Sequence, residues 1–435
     1  DGNLWLCGGR GPCGAAAQNG SNNDLWKFDV NDKAWVWIGG SSINYSGSAW
    51  VQLFGKYGTR GTPHKDNWPG GRTGHLCLTD KDGNLWLFGG AFAWSASGGG
   101  PGGGEAAMLN DLWKYDVGSG EWTWIAGEST LSPRPVFGTK GQPDPGNKPG
   151  ARYAAAGWID DDDNVWIFGG VGYTTSGGQA GLSDVWKYSI KDDVWTWVAG
   201  STSTGTAPVY TGLDPDPGAR SNGNGWLDDN GNIWYFGGIN VSARKNDLWR
   251  FDRGTLKWTF VKGDQGSNAG AEYGTRGVSH ANNKPGSRYL YATFKAVDGS
   301  LWLYGGYGYF TTAGPQGYMN DLWKYDITKN EWTWMDGSSV QKADALANSD
   351  LVAGTKGTPD PNNSPGRKQV NAAWTDNDGN FWIFGGSGFG QTGTDGFQNS
   401  LWRLAPSVAA PVQPGLFTTA PATVCANTNN VTYTV

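Results

Sequence analysis

One short phrase recurs six times in this chain and limits its fold more than any other feature. "DGNLWLCGG" (1–9) returns as "DGNLWLFGG" (82–90), "DNVWIFGG" (163–170), "GNIWYFGG" (231–238), "DGSLWLYGG" (298–306) and "DGNFWIFGG" (378–386). The second glycines are 81, 80, 68, 68 and 80 residues apart. A second motif follows each of them: "NDLWKFD" (23–29), "NDLWKYD" (110–116), "SDVWKYS" (183–189), "NDLWRFD" (246–252), "NDLWKYD" (320–326) and "NSLWRLA" (399–405). A third comes after the first five of these: "AWVWIGG" (34–40), "EWTWIAG" (121–127), "VWTWVAG" (194–200), "KWTFVKG" (257–263) and "EWTWMDG" (331–337). A fourth precedes each later Gly-Gly, where Arg72, Arg152, Arg220, Arg288 and Arg367 open a short apolar stretch.

Within each motif apolar and polar residues alternate, the period-two pattern of a half-buried strand. Asp/Gly/Asn turns such as "TDKDGN" join the fourth motif to the first as hairpins, and short turns such as "DVGSGEW" join the second to the third. Each repeat is therefore expected to be a four-stranded antiparallel meander. Such a sheet cannot cover both its faces alone, and stacking the sheets radially buries them, as in a β-propeller. The expected fold class is all-β: a six-bladed propeller of four-stranded antiparallel blades. Closing six blades requires one more inner strand and one more outer strand than residues 1–404 provide. Both are expected from a stretch upstream of Asp1, since the chain opens in mid-repeat and reads as part of a longer protein.

Composition agrees. The 72 glycines and 27 tryptophans suit Gly-punctuated aromatic strands. A chain with 14% aromatic residues is not disordered, and Gly without a three-residue period is not collagen. No apolar run is long enough for a membrane-spanning helix. A net charge of −6 argues against a nucleic-acid partner. After Arg403 the character changes. Residues 405–422 are Pro/Ala-rich and read as an extended linker. Residues 423–435, "TVCANTNNVTYTV", read as the start of an Ig-like or PKD-like β-sandwich.

The Gly-Gly strand, the Asn-Asp-Leu-Trp strand and the Trp-x-Trp strand, in that order and spacing, resemble the kelch-repeat propellers, of which the central domain of galactose oxidase is one. The likeness runs over residues 1 to about 405, with units longer than the ~50 residues of a kelch repeat. Kelch propellers followed by Ig-like modules further resemble exported surface proteins of Bacteroidota that use type IX secretion. These resemblances imply an extracellular or cell-surface module for adhesion or assembly that binds a protein or a surface glycan. The alternatives are a carbohydrate-binding or carbohydrate-active module and a structural spacer.

In a meander the second-to-third loops and the repeat-to-repeat connections belong to one face, and both are long. That face is the expected binding surface; the alternative is that the loops pack on one another and shield the blades. Trp50, Trp68 and Trp94 are the tryptophans that fall in long loops, and exposed aromatics anchor partners or stack on sugars. Phe92, Tyr173, Tyr309 and Phe389 follow the Gly-Gly pairs near the expected central axis. The arginines and Asp24, Asp111, Asp184, Asp247 and Asp321 open strands at the same face, so Arg–Asp pairing is the structural expectation. A ring of arginines binding an anion is the alternative. Cys7 and Cys13 bracket a Gly/Pro loop that a disulfide would close in an oxidising compartment. Cys77 reads as a small core residue, and Cys425 stands alone.

Catalytic chemistry is harder to find. The galactose oxidase likeness implies a copper site of two His, a Tyr and a Cys-linked Tyr, but His64, His75 and His280 are the only histidines and lie in different repeats. No Ser-His-Asp grouping and no Walker loop is present. The turns "DDDD" (160–163) and "TDNDGN" (375–380) are where calcium would sit, without the twelve-residue loop ending in Glu. The expectation is a non-enzymatic chain without metal or cofactor, calcium being the alternative.

Overall fold

A computed structural model describes residues 2–13, 18–41, 45–46, 49–50, 54–92, 107–175, 177–312, 314–341, 350–370, 372–390, 393–406 and 416–421. Regular structure among them is strand throughout. In the second repeat Leu76–Thr79, Leu85–Phe88, Leu112–Asp116 and Glu121–Ala126 pair antiparallel in that order, from an inner to an outer strand. The third repeat builds the same sheet from Ala156–Ile159, Asn164–Phe168, Val185–Ser189 and Val194–Ala199. The fourth uses Asn224–Leu227, Ile233–Phe236, Leu248–Asp252 and Lys257–Lys262. In the fifth, Ala292–Lys295, Leu301–Tyr309, Gln316–Asp326 and Glu331–Asp336 correspond. The first repeat contributes Leu4–Cys13, Gln18–Asp29 and Ala34–Gly39, without an inner strand among the described residues.

The sixth sheet departs from expectation. Its outer strand is Leu416–Pro421, drawn from the segment expected as linker, in register from Ser400↔Pro421 to Ala405↔Leu416. The strand expected from upstream of Asp1 is thus supplied from downstream. An outer edge strand tolerates proline because its outward N–H has no partner to lose, and Pro421 stands at the end of this one. Residues 423–435, the expected sandwich start, lie outside the described residues.

Each buried core lies between two successive sheets. Phe168 and Trp166 of the third pack on Tyr235, Trp249 and Phe251 of the fourth. Leu248 and Phe236 of the fourth meet Leu303 and Trp323 of the fifth, and Tyr304 of the fifth meets Ile383 and Trp402 of the sixth. The run then returns to its start: Leu4, Phe28 and Trp35 pack against Trp382 and Leu401, and the Trp374 indole donates to the Trp5 carbonyl at 3.1 Å. Period two makes this possible, because each strand sends alternate side chains to opposite faces and both faces are covered.

The Gly-Gly pairs end the shared part of each sheet. Gly89 and Gly90 have φ of +63° and +96°, a left-handed bend where side chains are strained. A Cβ on Gly90 would also meet the Thr73 carbonyl at 3.1 Å. Beyond this bend the chain continues as a second hairpin rather than a loose loop. Val171–Tyr173 pairs with Gln179–Gly181, and Ser387–Phe389 with Asp395–Phe397. In the first and fifth repeats a bulge at the Gly-Gly lets one long strand run through.

The repeat-to-repeat connections begin against the segments of that face, where the Ser132, Gly205 and Asn268 N–H groups donate to the Met108, Gly181 and Arg244 carbonyls, but not all of their length stays there. They carry a recurrent motif of their own: "YGTRGTPHKDNWPGGR" (57–72), "FGTKGQPDPGNKPGAR" (137–152), "YGTRGVSHANNKPGSR" (273–288) and "AGTKGTPDPNNSPGRK" (353–368). Each of the first three folds down along the outer strand of the sheet it introduces. Gly61 N–H donates to the Trp124 carbonyl at 2.8 Å, and the Asn67 amide to the Trp122 carbonyl at 3.0 Å. Gly141 and Asn147 do the same to Trp197 and Trp195, and Gly277 and Asn283 to Trp334 and Trp332. An outer strand left open invites pairing with other chains; here the connection occupies its carbonyls. His64 and His280 occupy equivalent places in this motif, each Nδ1 accepting the N–H two residues on. Their surroundings are therefore alike.

Replacing Asn147 with alanine is expected to destabilise the protein by about 1–3 kcal/mol, because the Trp195 carbonyl loses a buried donor. Urea unfolding measures the loss, and faster hydrogen exchange confined first to Val194–Ala199 locates it.

Candidate functional site

Four of the five arginines and four of the five aspartates meet where inner and third strands begin. Arg72 grips Asp111 with two bonds of 2.7 and 2.9 Å, Arg152 grips Asp184 with 2.7 and 2.8 Å, and Arg288 grips Asp321 with 2.6 and 2.7 Å. Arg220 reaches Asp247 through one bond of 2.5 Å. The remaining donors of Arg72, Arg152 and Arg288 go to carbonyls, such as Gly70 and Gly89 for Arg72. Each carboxylate also accepts the indole N–H two residues on, from Trp113, Trp186, Trp249 and Trp323. Tyr57, Tyr210 and Tyr273, which lie within the connecting segments, add a phenol donor to Asp111, Asp247 and Asp321. Burial raises all three phenols, which stay protonated donors. The arginines are at most 1% exposed. Arg220 Nε and Arg367 Nη1 are buried without a partner, and burial of all five guanidinium groups keeps them from forming an anion-binding ring.

The sixth repeat corrects one assignment. Pro-Gly-x-Arg leads into the inner strand four times, and in Pro365-Gly366-Arg367-Lys368 the fourth position is lysine. Register agrees: Lys368 pairs with Gly388 as Arg152 pairs with Gly172 and Arg288 with Gly308. One residue of offset turns a strand side chain to the other face. Arg367 accordingly points elsewhere, to Asp350 at 2.7 Å and over the Phe310 ring. Opposite Lys368 the aspartate is replaced by Ser400, whose hydroxyl accepts from Trp402. The Lys368 amine is buried with no hydrogen-bond partner, and burial lowers it from 10.5 to about 7. In the first repeat Asp24 accepts from Trp26, and among the described residues no arginine pairs with it. Burial raises its carboxyl.

The expected ligand aromatics do not form one group. Trp94 and the side chain of Trp50 lie outside the described residues. Trp68 is wedged between the first and second sheets, its indole donating to the Asn23 carbonyl at 2.7 Å and its ring edge-on to Trp122. Tyr173 and Tyr309 each accept a bond across their own hairpin, from Gln179 at 2.8 Å and Gln316 at 2.9 Å. Phe92 packs on Phe54, which is 61% exposed.

Phe389 belongs to a cluster not anticipated from sequence. Tyr289, Tyr307, Tyr318 and Phe389 form a continuous half-buried arc, with ring centroids 5.8, 5.1 and 5.6 Å apart. The Arg244 guanidinium lies over Tyr289 at one end. At the other the exposed Asp395 accepts from the Tyr318 hydroxyl at 3.1 and 3.2 Å. The arc thus crosses three repeats, beyond their Gly-Gly bends. Burial raises the phenols of Tyr307 and Tyr318, so both keep their donor protons at neutral pH. The legible signal was "RYL" and "GGYGYF", tyrosines directly after the inner arginine and the Gly-Gly.

His75 is half-buried with its Nε2 3.1 Å from the Cys7 carbonyl oxygen, and desolvation lowers it to about 4. Among the described residues no three His, Cys, Asp or Glu side chains are grouped to hold a metal, and no helix is long and apolar enough to cross a membrane.

Antiparallel sheets packed face to face and bent at a Gly-Gly, four of them holding a buried Arg–Asp pair, mark an all-β repeat protein. The chain is similar to members of that class: it is 25% identical over 194 residues, 45% of its length, to the Kelch domain-containing protein 10 of Rattus norvegicus, covering 39% of that protein. Identity to the Homo sapiens protein is 25%, over 36% of its length, and to the Xenopus tropicalis protein 24%, over 39%. The match therefore spans well under two thirds of these relatives. No family model matches the chain. Sequence likeness and the all-β architecture together support a kelch-repeat β-propeller.

Proposed function

We propose that the chain is a closed six-bladed propeller acting as a non-catalytic protein-binding module, with the Arg244–Phe389 arc as its docking surface. The arc carries this reading: partly exposed aromatic rings with polar tips are the residues that dominate protein interfaces. Its occupant is an extended segment of a partner protein, apolar over the rings, acidic toward Arg244 and basic toward Asp395. The reading includes no metal, because the Asp160 and Asp376 carboxylates are engaged by N–H donors from their own turns and by the indoles of Trp166 and Trp382. An extracellular or cell-surface setting, as part of a longer adhesive or assembly protein, rests on the resemblance of the 423–435 sequence to the start of an Ig-like module.

Selection of displayed random peptides against the immobilised protein tests this. Binders are expected to lose about 30-fold or more in affinity when Tyr307 or Tyr318 becomes alanine, the loss of one interface anchor. Binders indifferent to both changes would remove the arc from the reading. A glycan-array signal that vanishes in the same variants would reassign the arc to sugar stacking.

A further inference from the structure

Two cysteines break the repeat pattern at the same interface. The residue before each Gly-Gly is aromatic in five repeats, namely Phe88, Phe168, Phe236, Tyr304 and Phe384; in the first it is Cys7. The inner-strand position registered as Gly157↔Ile167, Gly225↔Tyr235, Thr293↔Leu303 and Ala373↔Ile383 holds a small residue; in the second repeat it is Cys77, opposite Leu87. At the other interfaces an aromatic ring accompanies a small side chain, as Tyr304 and Ala373 do in one cluster. Between the first and second sheets cysteine meets cysteine, with the sulfurs 3.1 Å apart. That is about 1 Å more than a covalent S–S distance.

Cys7 and Cys13 cannot form the bridge expected from sequence. Both lie in the single strand Leu4–Cys13, whose pairing continues to Cys13↔Gln18. Six residues of extended chain separate their Cα atoms by roughly 20 Å, against the under 7 Å a disulfide needs.

We propose that Cys7 and Cys77 form an oxidation site whose disulfide ties the first sheet to the second. Access favours a definite order. Cys77 is exposed and Cys7 buried, so the Cys77 thiolate attacks a low-molecular-weight disulfide such as oxidised glutathione. A mixed disulfide forms at Cys77 and one glutathione leaves as thiol. The Cys7 thiolate then attacks the Cys77 sulfur and releases the second glutathione. Two protein thiols are oxidised, one glutathione disulfide is reduced, and both protons end on glutathione. The hydrogen bond from Cys77, then burial, raises the Cys7 thiol, which makes its attack the slower step. The covalent tie closes a long loop and joins the first sheet, which has no inner strand among the described residues, to its neighbour.

The test uses the full chain, incubated with oxidised glutathione or with dithiothreitol. Non-reducing peptide mapping is expected to show one linked pair holding Cys7 and Cys77, with intact mass lower by two hydrogens. The melting temperature is expected to rise by several degrees on oxidation and to fall again with dithiothreitol. A background in which Cys13 and Cys425 are serine should keep the link and the shift; adding Cys7→Ser or Cys77→Ser should abolish both. A folded oxidised protein whose map shows Cys13 linked to Cys7 or Cys77, or only a glutathione adduct at Cys77, would overturn the proposal.

Discussion

Replacing Asp184 with alanine is expected to cost about 3–5 kcal/mol, enough to unfold much of the protein, because it strands a buried guanidinium. Arg152 is 1% exposed, and its two bonds to the carboxylate have no substitute within reach of water. The Trp186 indole loses its acceptor in the same change. A control separates charge from packing. The double variant Arg152→Met with Asp184→Leu fills the space without burying a charge. It is expected to recover most of the loss, since replacing a whole buried pair by apolar groups is often neutral. Urea midpoints followed by tryptophan fluorescence give both numbers. A single variant no worse than the double would mean that the fork is not what holds the third repeat together.

The sixth repeat supplies the opposite case, where a substitution is expected to stabilise. Lys368 is a buried amine where the second to fifth repeats carry half of a buried ion pair. Its folded pKa is about 7, against 10.5 for the unfolded side chain. Between those values the unfolded chain binds more protons than the folded one, so stability rises with pH across that window. The cost is absent above 10.5 and complete below about 7. Lys368→Met is therefore expected to raise stability near pH 7 by about 1–4 kcal/mol and to flatten the slope between pH 7 and 10. Lys368→Arg with Ser400→Asp is expected to stabilise as well, by rebuilding the fork of the second, third and fifth repeats. Urea midpoints from pH 6 to pH 10 decide. A wild-type slope unchanged in Lys368→Met would show that the titrating group is another.

How much of this was legible depended on how local each determinant is. Strand order, hairpin turns and the pairing of Arg72 with Asp111 follow from motifs repeated at fixed spacing. The assignment of Arg367 failed because residue type was matched in place of spacing. The interval of 18 residues from Arg152 to Gly170, and from Arg288 to Gly306, leads back from Gly386 to Lys368. The connecting motif was also present in the sequence, but nothing local shows that Asn67 finds the Trp122 carbonyl across 55 residues. The aromatic arc draws Tyr289, Tyr307, Tyr318 and Phe389 from separate strands and hairpins. Their contacts arise only when the fifth and sixth repeats stand side by side.

The sequence by itself determined an all-β repeat of inner-to-outer meanders, because period-two alternation and Gly/Asp turns act within a few residues. It also determined the buried fork, since a recurring arginine and aspartate at strand starts leave each other as the nearest countercharge. Tertiary structure alone decided where the connections run, which sulfur Cys7 faces, what completes the sixth sheet and which aromatics share a surface. These depend on free carbonyls, open edges and side-chain directions at interfaces between repeats. Such features come into existence only when segments far apart in the chain are packed together.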